Sequence, residues 1–374
     1  MSFSMQRTVQ YAASRLWGPL PLLLWTAPAA IMALANITSP MAPLDLSAFL
    51  TSGRALLTGE IPYKVDAPNL NAPGSLPFFH ALAALDAPWA PVGWYFTSLL
   101  AYLASLMIIA RLYPKAATPE RLAWAMAQGG LWITLTSGQV YALLLLPLTV
   151  AYWTASKNRL VVAGLTAGLV IAFKPNFVVW PLLLLISGHR RLGLAMLTGT
   201  VLWCIPAALL YGPQVYIQWL EIVRFGLLPE LVHPNNSSLQ SLAYRMGLPS
   251  AGLPLSAIVL TGVVIWTRRR GSGPSDLAMI ALLAAIITSP TAWIGYMCFL
   301  MPAFFSRPWN RPIAVAAMLL LIPLWPVIFF GNGWHALWVA SYTLAYGSLL
   351  VGLLLPIQRS TEVLRTTSLG RTAM

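Results

Sequence analysis

Apolar runs of roughly 15–20 residues follow one another from Leu16 to Ile357, with no long polar stretch between them. A helix or strand in water must show a polar face. A chain that offers almost none has lipid for its solvent. Composition closes the alternative: 58% of the residues are hydrophobic and 8% charged, where soluble domains carry about 25% charged side chains. That is too little polar surface to cover a globule, so a water-soluble enzyme is excluded. The chain reads as an all-α polytopic membrane protein, residues 1–357 forming one transmembrane domain.

The net charge of +13 does not mark a nucleic-acid binder, because of where the charges fall. They stand in short clusters between apolar runs: Arg111/Lys115/Arg121, Lys157/Arg159, Arg190/Arg191, Arg268–Arg270, Arg307/Arg311 and Arg359/Arg365/Arg371. Arg7 and Arg15 precede the first run, which lacks a cleavage motif and reads as a retained helix. The periodicity predicts about twelve spans, near 16–38, 91–110, 122–136, 139–156, 160–173, 175–187, 192–211, 251–266, 276–290, 291–305, 312–330 and 336–357. With the N-terminus inside, every cluster lies on the cytoplasmic side, as the positive-inside rule requires. Of the 22 Lys and Arg, only Arg54, Lys64, Lys174, Arg224 and Arg245 fall elsewhere. The C-terminus is then also inside, and residues 358–374 form a cytoplasmic, disordered tail. Cys204 and Cys298 both sit within apolar runs and suggest neither disulfide nor metal site.

Two external segments are long enough to hold a site, 39–91 and 211–250. The first opens with Asp45 after Pro40 and Pro43, where it can cap a helix running from Leu46 to Thr58. Leu46, Phe49, Leu50, Gly53, Leu56 and Leu57 share one side of that helix, as expected of an interfacial element. A Pro62-Tyr63 turn and an irregular stretch follow, then a second short interfacial helix from Leu76 to Leu85. The other segment gathers His233, Asn235, Asn236, Ser238 and Arg245, a composition suited to an anionic head group or a sugar, or simply to a solvated loop. Asp45 at the lipid boundary is a candidate catalytic acid or base; its plain alternative is a helix cap. Lys174, between two apolar runs and before Pro175, calls for an anionic partner unless it snorkels to the interface. Gln139 follows Gly138 in a turn, and outer tryptophans such as Trp293 offer surfaces on which a sugar ring can stack.

These spacings carry a resemblance. The run Asp45-x3-Phe49-x3-Gly53-x-Ala55-x-Leu57-x-Gly59-x2-Pro62-Tyr63 resembles the first periplasmic loop of glycosyltransferase family 87. Further matches follow in order: Gly138-Gln139-Val140, Ala163-Gly164 leading to Lys174, Asn236-x-Ser238-Leu239 with Arg245 downstream, and Ser289-Pro290-x2-Trp293. The resemblance implies a GT-C-like bundle and a polyprenyl-phosphate-sugar-dependent hexosyltransferase, with mannose as the sugar. It implies an acceptor hydroxyl on a glycolipid or envelope glycan, and a site on the periplasmic face of the bacterial inner membrane. Asp45 would be the general base of an inverting transfer. Lys174, Arg245 and His233 would hold the donor phosphate, and Tyr63, Gln139, Asn236, Ser238 and Trp293 the substrates. No metal or cofactor is implied beyond the lipid-linked co-substrate. Three positions depart from the family pattern: Asn71-Ala72-Pro73 stands where an aromatic and two prolines are usual. Tyr141 replaces an Asn, and Ile294-Gly295-Tyr296 replaces histidines. The rivals are a lipid-linked-sugar carrier, which would show internal repeats and a midplane site, and an inactive scaffold.

Overall fold

The computed structural model describes residues 19–38, 44–66, 69–85, 89–233, 235–270, 273–322 and 332–356, and these are helical throughout, without a strand. In chain order the helices are α1 (Pro19–Thr38), α2 (Leu44–Thr58), α3 (Leu76–Ala83), α4 (Trp89–Leu112), α5 (Pro119–Ala127), α6 (Gly129–Ser137), α7 (Tyr141–Ser156), α8 (Leu160–Phe173) and α9 (Val179–Ile186). There follow α10 (Arg190–Tyr211), α11 (Gln214–Val232), α12 (Leu239–Arg245), α13 (Gly252–Arg270), α14 (Pro274–Thr288), α15 (Met301–Phe305), α16 (Arg311–Leu319) and α17 (Asn332–Leu354). The tail and the Pro40/Pro43 turn fall outside the described residues.

Among the described residues, three segments are long and apolar enough to cross a membrane: Trp89–Leu112, Arg190–Tyr211 and Pro249–Arg270. Seven further apolar helical stretches there run 10–17 residues. Their outward faces are aliphatic, with Leu209 80% and Leu253 70% exposed, as lipid contact requires. The centre is different in kind. In α14 every residue from Leu277 to Thr288 is buried, so that helix is apolar on all sides because protein surrounds it. Small residues let helices close in. Gly168 lies so near Gly199 that a Cβ there would come 2.5 Å from the Gly199 carbonyl carbon, and Gly164 meets Ala195 in the same way. Such a small-residue seam is how apolar helices associate when lipid offers no hydrophobic incentive.

Three expectations need correction. The run at 122–136 is two helices, broken at Gln128, because the Gly129 N–H leaves the helix ladder to donate to the Leu320 carbonyl at 2.8 Å. The run at 291–305 is mostly a 3-10 coil, Ile294–Leu300, before the single turn of α15. Third, the apolar side of α2 is spent on protein rather than on the membrane interface. Leu46, Phe49 and Leu50 are buried, Phe49 stacks on Phe79 of α3 at 4.4 Å, and Gly53 abuts the Phe79 carbonyl. Docking on α3 and α4 fixes the first turn of α2, and with it Asp45.

Gly168→Leu should lower the thermal midpoint of detergent-solubilised protein, because overpacking a closed seam costs about 1–3 kcal/mol. Gly262→Leu, where a Cβ meets nothing within 4 Å, should leave the midpoint within error.

Candidate functional site

Three elements converge on Asp45. The first is the turn between α6 and α7. Gly138 ends α6 in the left-handed conformation at φ 75°, with its N–H donating to the Leu135 carbonyl at 3.2 Å. Glycine is needed twice over there, since a Cβ would stand 2.6 Å from that of Leu46. The close approach brings the side chains of Ser137 and Gln139, on either side of the glycine, into hydrogen-bonding range of the Asp45 carboxylate. The Gly-Gln-Val run is thus a device for seating the acid, and Gln139 is a neighbour of Asp45. Its Oε1 is buried and accepts no hydrogen bond from the described residues.

The second element is the break after α8. The chain stops being α-helical at Lys174 because Pro175 cannot continue the ladder, and a 3-10 turn over Pro175–Val178 takes over. Lys174 is only 9% exposed. Its Nζ sits 5.0 Å from the ring centre of Tyr141 and 5.9 Å from that of Tyr296, a cation–π setting. Tyr141 and Tyr296 cross edge to face at 4.9 Å, and the Tyr141 ring fills the space that a side chain at Gly295 would need. The departures at 141 and at 294–296 are therefore one coupled change, an aromatic wall beside the lysine.

The third element was not singled out from the sequence. Glu230, near the end of α11, shares the electrostatic neighbourhood of Asp45 and Lys174. Burial pushes both carboxyls above their ordinary range. For Asp45 this is opposed by the Gln139 and Ser137 hydrogen bonds and then by Lys174; for Glu230 it is opposed by Lys174 and reinforced by Asp45. Only the fold could reveal this acid: α11 is a helix of 19 residues inside a segment that reads as a loop.

The Asn-x-Ser and Ser-Pro motifs do different work from that expected. Asn236 is completely buried. Its Nδ2 donates to the carbonyls of Glu230 (3.0 Å) and Pro290 (2.8 Å), and its Oδ1 accepts from the N–H groups of Ser238 (3.0 Å) and Ala292 (2.9 Å). All four hydrogen-bonding positions of the amide are filled, so Asn236 holds chain to chain instead of substrate. Ser238 is likewise buried, capping α12 through the Ser241 N–H at 3.0 Å and donating to Pro290 at 3.1 Å. Arg245 donates from Nη1 to the Asn236 carbonyl (2.9 Å) and Ser241 Oγ (2.7 Å), bracing the same clamp, while its buried Nη2 has no hydrogen-bond partner among the described residues. Tyr63 is engaged with the protein as well. It is 2% exposed, donates to the Asn71 carbonyl at 2.9 Å, and packs with Leu76 and Val215 away from the Asp45 cluster. His233 crosses Trp293 edge to face at 4.8 Å, and its Nδ1 accepts the Asn235 N–H at 3.1 Å. Asn176, just after Lys174, ties Ser289, Thr291 and Tyr296 together through Nδ2. Among the described residues, no three His, Cys, Asp or Glu side chains are grouped to hold a metal ion.

With this geometry in view, the comparison with known families is decisive at the family level. Residues 69–292, more than half of the chain, match glycosyltransferase family 87. The chain belongs to that family, a membrane-embedded glycosyltransferase by descent. The matched stretch contains Gln139, Lys174, Glu230 and the Asn236 clamp, and it begins after the α2 helix that carries Asp45. No curated protein matches the chain.

Because the folded protein holds Asp45 above its ordinary range, ionising it opposes folding. That cost is fully present above the raised value and vanishes once pH falls below the unfolded one. Asp45→Asn should therefore raise the thermal midpoint at pH 7–8, an advantage that fades toward pH 4. Asn236→Ala should instead lower the midpoint at every pH, since it orphans buried partners at about 1–3 kcal/mol each. Thermal scans across pH on both variants would check this.

Proposed function

We propose that the protein transfers a hexose, with mannose the sugar the family resemblance favours, from a polyprenyl-phosphate donor to a hydroxyl of a glycolipid or envelope glycan. The observation that carries this reading is the convergence of one buried ammonium and one half-buried carboxylate, Lys174 and Asp45, in an apolar bundle. A lipid-linked sugar presents both halves of such a site: an apolar chain for the bundle and a phosphate for the cation.

The leaving group of this reaction is already a phosphate, so charge stabilisation matters more than activation by a metal. Asp45 takes the proton of the acceptor hydroxyl as its oxygen attacks the anomeric carbon, and the configuration inverts. Gln139 and Ser137 hold the carboxylate in line, a geometry set by Gly138. Lys174 faces the phosphate as negative charge develops on it, in surroundings where little water screens the attraction. Its Nζ is steered by the Tyr141 and Tyr296 rings. Trp293, half-buried beside His233, offers a face for a sugar ring. The site lies on the external side of the bacterial inner membrane, in a bundle of about twelve spans with both termini inside. The reaction needs no metal and no cofactor.

The test is transfer from radiolabelled polyprenyl-phosphate-mannose to a membrane-lipid extract, using protein in lipid nanodiscs with chelator present. Wild type should make a labelled glycolipid, and Asp45→Asn should lose roughly 10²–10⁴-fold in rate. Equal rates would remove Asp45 from the chemistry, and abolition by chelator would show that a metal is needed. Movement of the donor across the bilayer without product would mark a carrier instead.

A further inference from the structure

We propose that Glu230 is a second catalytic carboxyl, held neutral, that hydrogen-bonds the donor phosphate and gives it a proton as it departs. This role rests on the transfer reaction proposed above. It begins from placement. The backbone of Glu230 is pinned by the Asn236 side chain at 3.0 Å and by the His233 N–H at 3.3 Å, both reaching its carbonyl. The Asn236 clamp therefore fixes the backbone from which this carboxyl projects. Its Oε2 is enclosed and has no hydrogen-bond partner among the described residues. A buried carboxyl oxygen left so is costly unless a ligand completes it.

Charge accounting then fixes the protonation. Asp45, Glu230 and Lys174 fully ionised already carry one net negative charge, and a phosphodiester donor adds another. Doubling like charge in a partly dehydrated site with one cation is unfavourable, and a single proton on one of the carboxyls relieves it. Asp45 has Ser137 and Gln139 as hydrogen-bonding neighbours that favour its charged form, whereas Glu230 has no such donor on Oε2. The proton belongs on Glu230. Of the groups facing it, Asp45 from α2 favours the neutral form and Lys174 after α8 the charged one, with Tyr141 on α7 and Tyr296 after α14 completing its surroundings. On its own side, His233 Nδ1 accepts the Asn235 N–H, and Arg245 donates from Nη1 to Asn236 and Ser241 while its buried Nη2 has no hydrogen-bond partner among the described residues.

The step balances. The acceptor oxygen bonds to the anomeric carbon and its proton goes to Asp45. The bond from that carbon to the phosphate oxygen breaks with its electron pair on the phosphate, which takes the Glu230 proton. Asp45, now neutral, returns its proton to Glu230, so one proton passes from acceptor to lipid phosphate per turnover and the site is restored.

Infrared spectroscopy of the full chain in nanodiscs at neutral pH, with donor bound and no acceptor, reads the proton directly. Wild type should show a protonated-carboxyl C=O stretch that is missing from Glu230→Gln. Absence of the band from wild type, or its survival in Glu230→Gln, would overturn the proposal. Kinetics supply a second reading. Glu230→Gln keeps a hydrogen-bond donor, so donor KM should change by less than about threefold while kcat falls about 10²-fold. The fall of wild-type kcat at high pH, where Glu230 ionises, should be missing from the variant. A Glu230→Gln profile that keeps this limb would refute the role of Glu230 alone. A wild type that transfers no sugar would refute the transfer reaction and this role together, whatever the infrared band shows.

Discussion

A buried ammonium organises this molecule. Lys174 stands where a helix must end, among apolar neighbours, and an unpaired charge there would cost several kcal/mol. The fold answers with two carboxyls brought from distant points of the chain and two aromatic faces. None of these groups is Lys174's neighbour in sequence. α2 must dock on α3 and α4 to bring Asp45, α11 must be clamped at Asn236 to bring Glu230, and the coil after α14 must turn to bring Tyr296.

Two of these arrivals depend on residues that never touch a substrate in the mechanism. Gly138 lets the α6–α7 turn press against Leu46, and Asn236 uses its whole amide to join α11 to the Ser289–Trp293 turn. A motif residue can therefore be indispensable for aiming another. The tyrosines at 141 and 296 illustrate the complementary point, since they pack edge to face and Gly295 leaves the room that the Tyr141 ring fills.

Much of this was legible in the sequence, and the limits have physical causes. Helix positions followed from apolar run length, because lipid leaves the backbone no other way to satisfy itself; α7, α8 and α10 lie within about two residues of the expected spans. Asp45 and Lys174 stood out because charge is rare in such a chain. Glu230 did not, since it lies in a segment with several other polar residues and only tertiary structure separates it from Glu221, which is exposed. Sequence reports the chemistry of Asn236, Ser238 and Tyr63 but not that backbone groups already use it. The breaks at Gln128 and Ile294 were hidden for a related reason, being set by contacts to residues far along the chain.

The central claim is that Asp45 and Lys174 act on one substrate at one site, and a double-mutant cycle tests it most directly. Transfer rates would be compared for wild type, Asp45→Asn, Lys174→Met and the double variant, each checked for folding. Residues acting as a unit give strongly non-additive losses, so the double variant should be hardly slower than the worse single one. Losses that multiply, each variant costing the same in either background, would show two independent contributions and contradict the account.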